Sequence, residues 1–311
     1  MQTLFPSQSN YMSMSAKRTI ILLALVVLFA ASILVLLSKP EPIAASRYVE
    51  PDRLFRTLEA NVRSHTEFDI IVDIDHSRLG AEAGSPMPPS HVLIWSDSEL
   101  DAAIVEQNPL AAVDLPLRVL TYENQATGKA AIIANSYDFL LQRHSLPDDA
   151  SLRSRYESAI ATATKGIPSD AITNFASDSI PDQGLVTLTS PYDFDVTEKR
   201  ILDAIKSQDD TVQFGTVDFA ERSRKHGVVI PPLRLILFGG PGPGGKAMMA
   251  APTLGLDAFC QKLMIWQDEG GIVHVTFNDL LALADRQNVP EGLPLRVINR
   301  RLKATFSAAV E

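Results

Sequence analysis

Thr19 to Leu37, TIILLALVVLFAASILVLL, is apolar apart from Thr19 and Ser32 and carries no charge. A helix of about 20 residues crosses a hydrocarbon core of about 30 Å. The run is longer than the apolar core of roughly 7–15 residues in a cleaved signal, and the nearest small-residue stretch, Ala44-Ala45-Ser46, lies beyond Lys39, Pro40 and Pro42. The pattern predicts a tail over 1–18 and an uncleaved single-pass helix over 19–37. Lys17 and Arg18 precede the helix and a long body follows it. That asymmetry predicts an inner-membrane protein with a periplasmic or otherwise extracytoplasmic body.

Beyond residue 46 the pattern changes to short strands and amphipathic helices. In the second half, Val186–Thr189, TVQFGTVDF, Leu233–Phe238, Lys262–Trp266 and Ile272–Phe277 read as strands, with Gly215 marking a bulge. EKRILDAIKSQ places Ile201, Ala204 and Ile205 on one helical side, with Asp195 as N-cap and Glu198 three positions on. Lys246–Ala251 reads as a short helix ended by Pro252, and Asp279 opens another. A last helix aligns Leu295, Ile298, Leu302, Phe306 and Ala309. Strand, helix, antiparallel strands and helices in that order make an α+β unit with helices on one sheet face.

The same unit is written twice. A shift of 143 positions pairs Asp75 with Asp218, Gly84 with Gly227 and Pro88-Pro89 with Pro231-Pro232. It also pairs Pro109 with Pro252, Asp114 with Asp257, Asn135 with Asn278 and Arg143 with Arg286. Most matches are residues that set turns and caps, which a shared backbone retains. The first copy spans 47–167, with a weak opening strand near Pro42–Arg47. Residues 168–184 read as a linker, and the second copy spans 185–311.

Composition narrows the partners. The chain has 311 residues, ordinary globular hydrophobicity and one Cys. Lys17, Arg18 and Lys39 belong to the N-terminal segment, which leaves 25 bases against 37 acids in the body. That acidic body is a poor partner for phosphate backbones, so nucleic acid is not expected.

The segments PPLRLILFGGP, MMAAPTLGLDAFC and LMIWQDEGGIVHVTFND, echoed by MPPSHVLIW, NPLAAVDLPLRVLTYEN and ANSYD, carry a family resemblance. The chain resembles, twice over, the bacterial family catalogued as domain of unknown function 302. The resemblance implies a fold like that of the TATA-binding protein, and single-copy members that pair as dimers. It implies no reaction, and fold analogy does not bring DNA binding.

Each chemical candidate has a plainer reading beside it. In Gly239–Lys246, Gly240, Gly242 and Gly245 fit a dinucleotide fingerprint, and Gly240, Gly245 and Lys246 a phosphate loop. Both need backbone N–H groups that Pro241 and Pro243 lack, and Ala247 stands where a Mg²⁺-binding hydroxyl belongs. A flexible surface turn is the expectation, and no cofactor is expected. Cys260 is a nucleophile only if Lys262 or His274 lowers its pKa; otherwise it is a buried apolar side chain. The six His show no metal-ligand spacing, and the Asp73-Ile74-Asp75-His76 cluster is not repeated in Thr216-Val217-Asp218-Phe219. No nucleophile elbow of the Gly-x-Ser-x-Gly type occurs. The repeated Asp75/Asp218, Asp114/Asp257 and Asn135/Asn278 either line a shared groove or cap helices.

Two functions fit. One is a membrane-anchored, non-catalytic module that binds a small molecule or protein partner. The other is an enzyme with a site in the second copy around Cys260, Asp257 and His274. The loss of reactive side chains between copies favours the module. Fusion of two copies also predicts a monomeric internal pseudo-dimer, with its groove at the seam between the repeats.

Overall fold

The computed structural model describes residues 41–311, and Pro42–Glu311 form one compact unit. The tail and the predicted membrane helix over 19–37 lie outside the described residues. Among the described residues no helix is long and apolar enough to cross a membrane.

The first repeat begins with a 3₁₀ turn, Ala45–Tyr48, and a long helix α1 (Val49–Ser64). Leu54, Phe55, Leu58 and Val62 recur at helical spacing and are its buried face. Then follow β1 (Phe68–Asp75), α2 (His76–Glu82), β2 (Ser90–Asp97) and α3 (Ser98–Gln107). A 3₁₀ turn at Pro109–Asp114 leads into β3 (Leu117–Glu123), β4 (Ala130–Ala134), α4 (Tyr137–His144) and α5 (Ala150–Ala163). Between the repeats lies a two-residue strand, β5 (Ile172–Thr173).

The second repeat runs β6 (Leu185–Ser190), α6 (Phe194–Lys206), β7 (Val212–Asp218), α7 (Phe219–Arg224), β8 (Leu233–Gly239) and α8 (Pro241–Met248). After a 3₁₀ turn at Pro252–Gly255 come β9 (Gln261–Gln267), β10 (Val273–Asn278), α9 (Leu280–Arg286) and α10 (Leu293–Val310). The sheets have matching orders, β1-β2-β3-β4-β5 and β7-β8-β9-β10-β6. Both first strands carry a one-residue bulge, at Ile71 and at Phe214 beside Gly215. These positions are 143 apart, so the duplication extends to backbone irregularities.

Four expectations change. The opening strand near Pro42–Arg47 is a 3₁₀ turn, because Pro42 offers no N–H to a ladder and Ala44-Ala45-Ser46 lacks β-branching. Its place at the sheet edge is taken by β5, which runs parallel to β4. The 168–184 stretch is therefore partly built into the first sheet. The glycine-rich stretch is no flexible turn: helix α8 begins at Pro241, where a missing N–H costs nothing. Asp193, not Asp195, caps α6, accepting from the Val196 N–H at 2.8 Å, because the helix starts one residue before Asp195.

The repeats pack through like elements in exchanged roles. Helix α2 lies against α8, and α3 against α7. The 3₁₀ turn of each repeat reaches onto the sheet of the other: Pro252–Gly255 onto β2 and β3, Pro109–Asp114 onto β8, β9 and β10. Val92, Leu93, Ile94 and Trp95 on β2 are consequently all buried, on both sheet faces.

Candidate functional site

The exchanged 3₁₀ turns carry Asp114 and Asp257 into the seam, where neither carboxylate reaches solvent. Asp114 accepts from Arg143 Nη1 through both oxygens at 2.9 Å, from Arg118 Nη2 at 2.9 Å and from His144 Nε2 at 2.6 Å. Asp257 accepts from Arg118 Nε at 3.0 Å and Asn135 Nδ2 at 3.1 Å, and Arg286 stands 3.5 Å away. Arg118 thus bridges the two carboxylates across the seam. Arg143 donates to Asn278 Oδ1 at 2.7 Å, and Arg286 to Asn135 Oδ1 at 2.8 Å. Each repeat sends its arginine to the other repeat's asparagine. Of the three repeated polar pairs, Asp114/Asp257 and Asn135/Asn278 meet here, joined by Arg143/Arg286. The third behaves otherwise: Asp75 and Asp218 cap α2 and α7, accepting from the N–H of Arg78 and Glu221.

Burial alone would raise both seam carboxyls. The cations outweigh it: Arg143, His144 and Arg118 hold Asp114 well below the usual range, and Arg118, Lys262 and Arg286 lower Asp257. Lys262, buried on β9, feels the reverse, and burial with Arg118 pulls it down to about 8. Its ammonium donates to the Cys260 carbonyl at 2.8 Å. The Arg286 guanidinium lies 3.6 Å from the Phe139 ring centroid and 4.1 Å from that of Phe175. Composition gives no hint of this cationic, closed cluster. The retention of Arg143 and Arg286 among turn-setting residues is the signal that could have revealed it.

The structure brings together two of the three residues considered for an enzymatic site. Cys260 is buried, close in sequence to Asp257, and burial pushes its thiol up while Lys262 opposes. His274 is elsewhere. It lies opposite Trp266 on β9, six residues beyond Cys260, or about 20 Å of strand. There it stacks on Trp266 and bonds Asp268 at 3.0 Å. The Asp73–His76 cluster also disperses. Asp75 is a cap, Asp73 faces His91, and His76 bonds the Gly255 carbonyl at 3.0 Å across the seam. Among the described residues no group of three or more His, Cys, Asp or Glu is placed to hold a metal.

The seam offers no groove in the cavity that both repeats line beside α2 and α8. Its volume is about 10 Å³, the room of one water, because Gly244 and Gly245 let α8 settle onto its neighbours. An open cleft of about 700 Å³ lies instead in the second repeat. It is bounded by the start of α6 with Asp193, Phe194 and Asp195, by Asp218 and Ala220, and by Val229–Arg234. Arg234 crosses one wall, bonding Asp218 at 2.6 Å and pairing with Glu198.

Comparison with known proteins adds the following. Over 111 residues the chain is 37% identical to the fluoride-specific ion channel FluC 1 of Brucella suis biovar 1, covering 36% of this chain and 43% of that protein. The protein of the same name from Brucella abortus biovar 1 matches at 37% over 111 residues, covering 36% and 40%. The chain thus spans less than half the length of these curated relatives. A crystal structure of an uncharacterized conserved protein DUF302 from Bacillus stearothermophilus is 15% identical, with a TM-score of 0.36, covering 41% of this chain and 95% of that one. The family model described as domain of unknown function DUF302 matches residues 44–163 and again 186–309, one match to each repeat. The chain therefore belongs to the domain of unknown function DUF302 family, whose domain it carries in tandem.

Proposed function

We propose that the chain is a membrane-anchored, non-catalytic binding module whose ligand site is the open cleft of the second repeat. One observation carries this reading. The groups with reactive potential, Cys260, Asp257 and Lys262, are buried and committed to the seam, while the cleft is wide, polar and apolar by turns, and accessible. A substrate would have to open the joint between the repeats to meet the thiol, whereas a ligand enters the cleft without moving the backbone. The seam then serves to hold the two copies as an internal pseudo-dimer. The uncharged run over 19–37 is the anchor in this reading, and the Lys17-Arg18 pair before it favours a body outside the cytoplasm. The relatives named as ion channels favour the same membrane setting.

The test has two arms. A ligand screen on the full-length chain, followed by hydrogen exchange with each hit, should show protection at Asp218–Arg234 and the start of α6. Turnover of a hit, or fast alkylation of Cys260 in the folded state, would favour an enzyme instead. Alkaline washing should leave the full-length chain with membranes, and its release would remove the anchor.

A further inference from the structure

The shift of 143 also relates two clefts, of which one is closed and the other open. Each lies between the end of the first helix of its repeat, the entry to the bulged strand and the last helix. In the second repeat two links cross it. Arg301 on α10 donates to the two oxygens of Asp210 at 2.5 and 2.6 Å, and Gln208 Nε2 donates to Thr305 Oγ1 at 3.5 Å. Ile298 and Leu302 fill the remainder, and about 30 Å³ is left. In the first repeat Ser158 stands in the place of Arg301, Ala159 in that of Leu302 and His65 in that of Gln208. Glu67 and Ser158, like His65 and Thr162, line the cleft without a bond between them among the described residues. Arg155, in the place of Ile298, turns aside to Asp97, bonding its two oxygens at 2.7 Å, and to Glu99 at 2.6 Å. With Arg155 so placed the cleft has a volume of about 510 Å³.

The lining has a consistent chemistry. Ser151, Ser154, Ser158 and Thr162 recur on one side of α5, which makes a row of hydroxyls about 16 Å long. Each hydroxyl can both donate and accept. Across from them the rings of His65 and Phe68 stack at 4.0 Å and form an aromatic wall. Two shielded nitrogens of this wall have no partner in the protein. One is His65 Nδ1, and the other is the indole N–H of fully buried Trp95, whose counterpart Phe238 lines the closed cleft. Buried polar groups seldom go unpaired, so these mark a place for an outside partner. The charges disfavour an anion, because Arg155 is committed to Asp97 and Glu99 and Glu67 remains beyond them at 3.8 Å.

We infer that the cleft of the first repeat binds a neutral saccharide chain. Its hydroxyls bridge α5 to His65 and Glu67, as the protein's own side chains bridge the second repeat, and its ring faces lie on the wall of His65 and Phe68. This site is separate from the cleft of the second repeat, and neither depends on the other.

Calorimetric titration of the full-length chain with maltotriose, cellotriose and triacetylchitotriose, in a detergent without sugar head groups, tests the inference. At least one trisaccharide should bind at one saturable site per chain. Hydrogen exchange should then show protection at 65–68 and along α5. Ser158→Arg restores the counterpart of Arg301 opposite Glu67, and should weaken binding at least about tenfold by closing the cleft. Ser154→Ala removes one hydroxyl and should weaken binding several-fold. Both positions are exposed, so both variants should melt no lower than the wild type. Absence of saturable binding by all three trisaccharides overturns the inference. Binding that Ser158→Arg leaves intact does so too, as does protection confined to 218–234, which belongs to the other cleft.

Discussion

Asp75 and Asp114 look alike in the sequence, since each is repeated 143 residues on and each ends a short element. Their fates differ because of neighbours that the sequence does not display. Asp75 meets the free N–H groups of the helix it begins, a local bond that any reading of caps anticipates. Asp114 meets Arg118, Arg143 and His144 in a volume closed by the other repeat. A buried ion pair is costly to desolvate and contributes mainly when every partner is present. Its persistence in both copies is a property of the joint and not of either domain. Asp101 shows the opposite balance. It is buried on α3 with Ser96 as its hydrogen-bond donor, and burial pushes its carboxyl up to about 7. A folded-state pKa above the unfolded one gives a contribution that is full below about pH 3.8 and lost as pH rises through 7. Wild-type stability should therefore lose about 1–3 kcal/mol from this group between pH 5 and 8. His76 acts with the reverse sign: burial lowers it to about 4, so it costs stability as pH falls from 6.5. The test is the difference in slope between wild type and Asp101→Asn in urea unfolding at both pH values. The variant should lack the loss, and equal slopes would show that Asp101 is not the group responsible.

Elements with strong periodicity are legible in the spacing of their residues. The stripe on α10, the paired strands β9 and β10 and the bulge beside Gly215 follow from that spacing alone, because each depends on neighbours close in sequence. The elements that spacing misplaces depend on distant contacts. The glycine-rich stretch before Lys246 carries every mark of a loop, yet it forms α8 because a helix from the other repeat requires a surface without side chains. A Cβ on Gly245 would collide with the Ser85 carbonyl oxygen and stand 3.0 Å from the Ser85 Cβ, and one on Gly80 would meet the same oxygen at 2.8 Å. Neither glycine has a positive φ, so close approach and not backbone conformation explains them. Gly245→Ala gains helix propensity of about 1 kcal/mol in isolation. It should nevertheless destabilise the chain by about 1–3 kcal/mol, since Ser85 belongs to backbone that cannot rotate away. Denaturant midpoints measure this, and a stabilised variant would mean that α2 and α8 are not closely joined.

At the scale of the molecule, the same close contact decides which surfaces can pair. Twofold interfaces between identical chains must be self-complementary, but this seam is built from unlike copies. Gly80 faces Gly245 on one side of the pseudo-axis, while on the other the corresponding positions are Ser223 and Ala102. Two first repeats pairing with each other would set Ala102 where Gly245 stands, placing a Cβ where the Ser85 carbonyl leaves no room. The cross-seam bonds are divided in the same way, since Arg118 spans both carboxylates from the first repeat and has Gln261 as its counterpart in the second. Divergence has thus made each copy the partner of the other and a poor partner for itself. Residues 41–179 and 180–311, produced together as separate chains, should recover as a one-to-one complex, and the first half alone should not form a stable dimer. The intact body should be monomeric by light scattering. A self-paired first half as stable as the mixed complex would show that the close glycine contact does not determine the pairing.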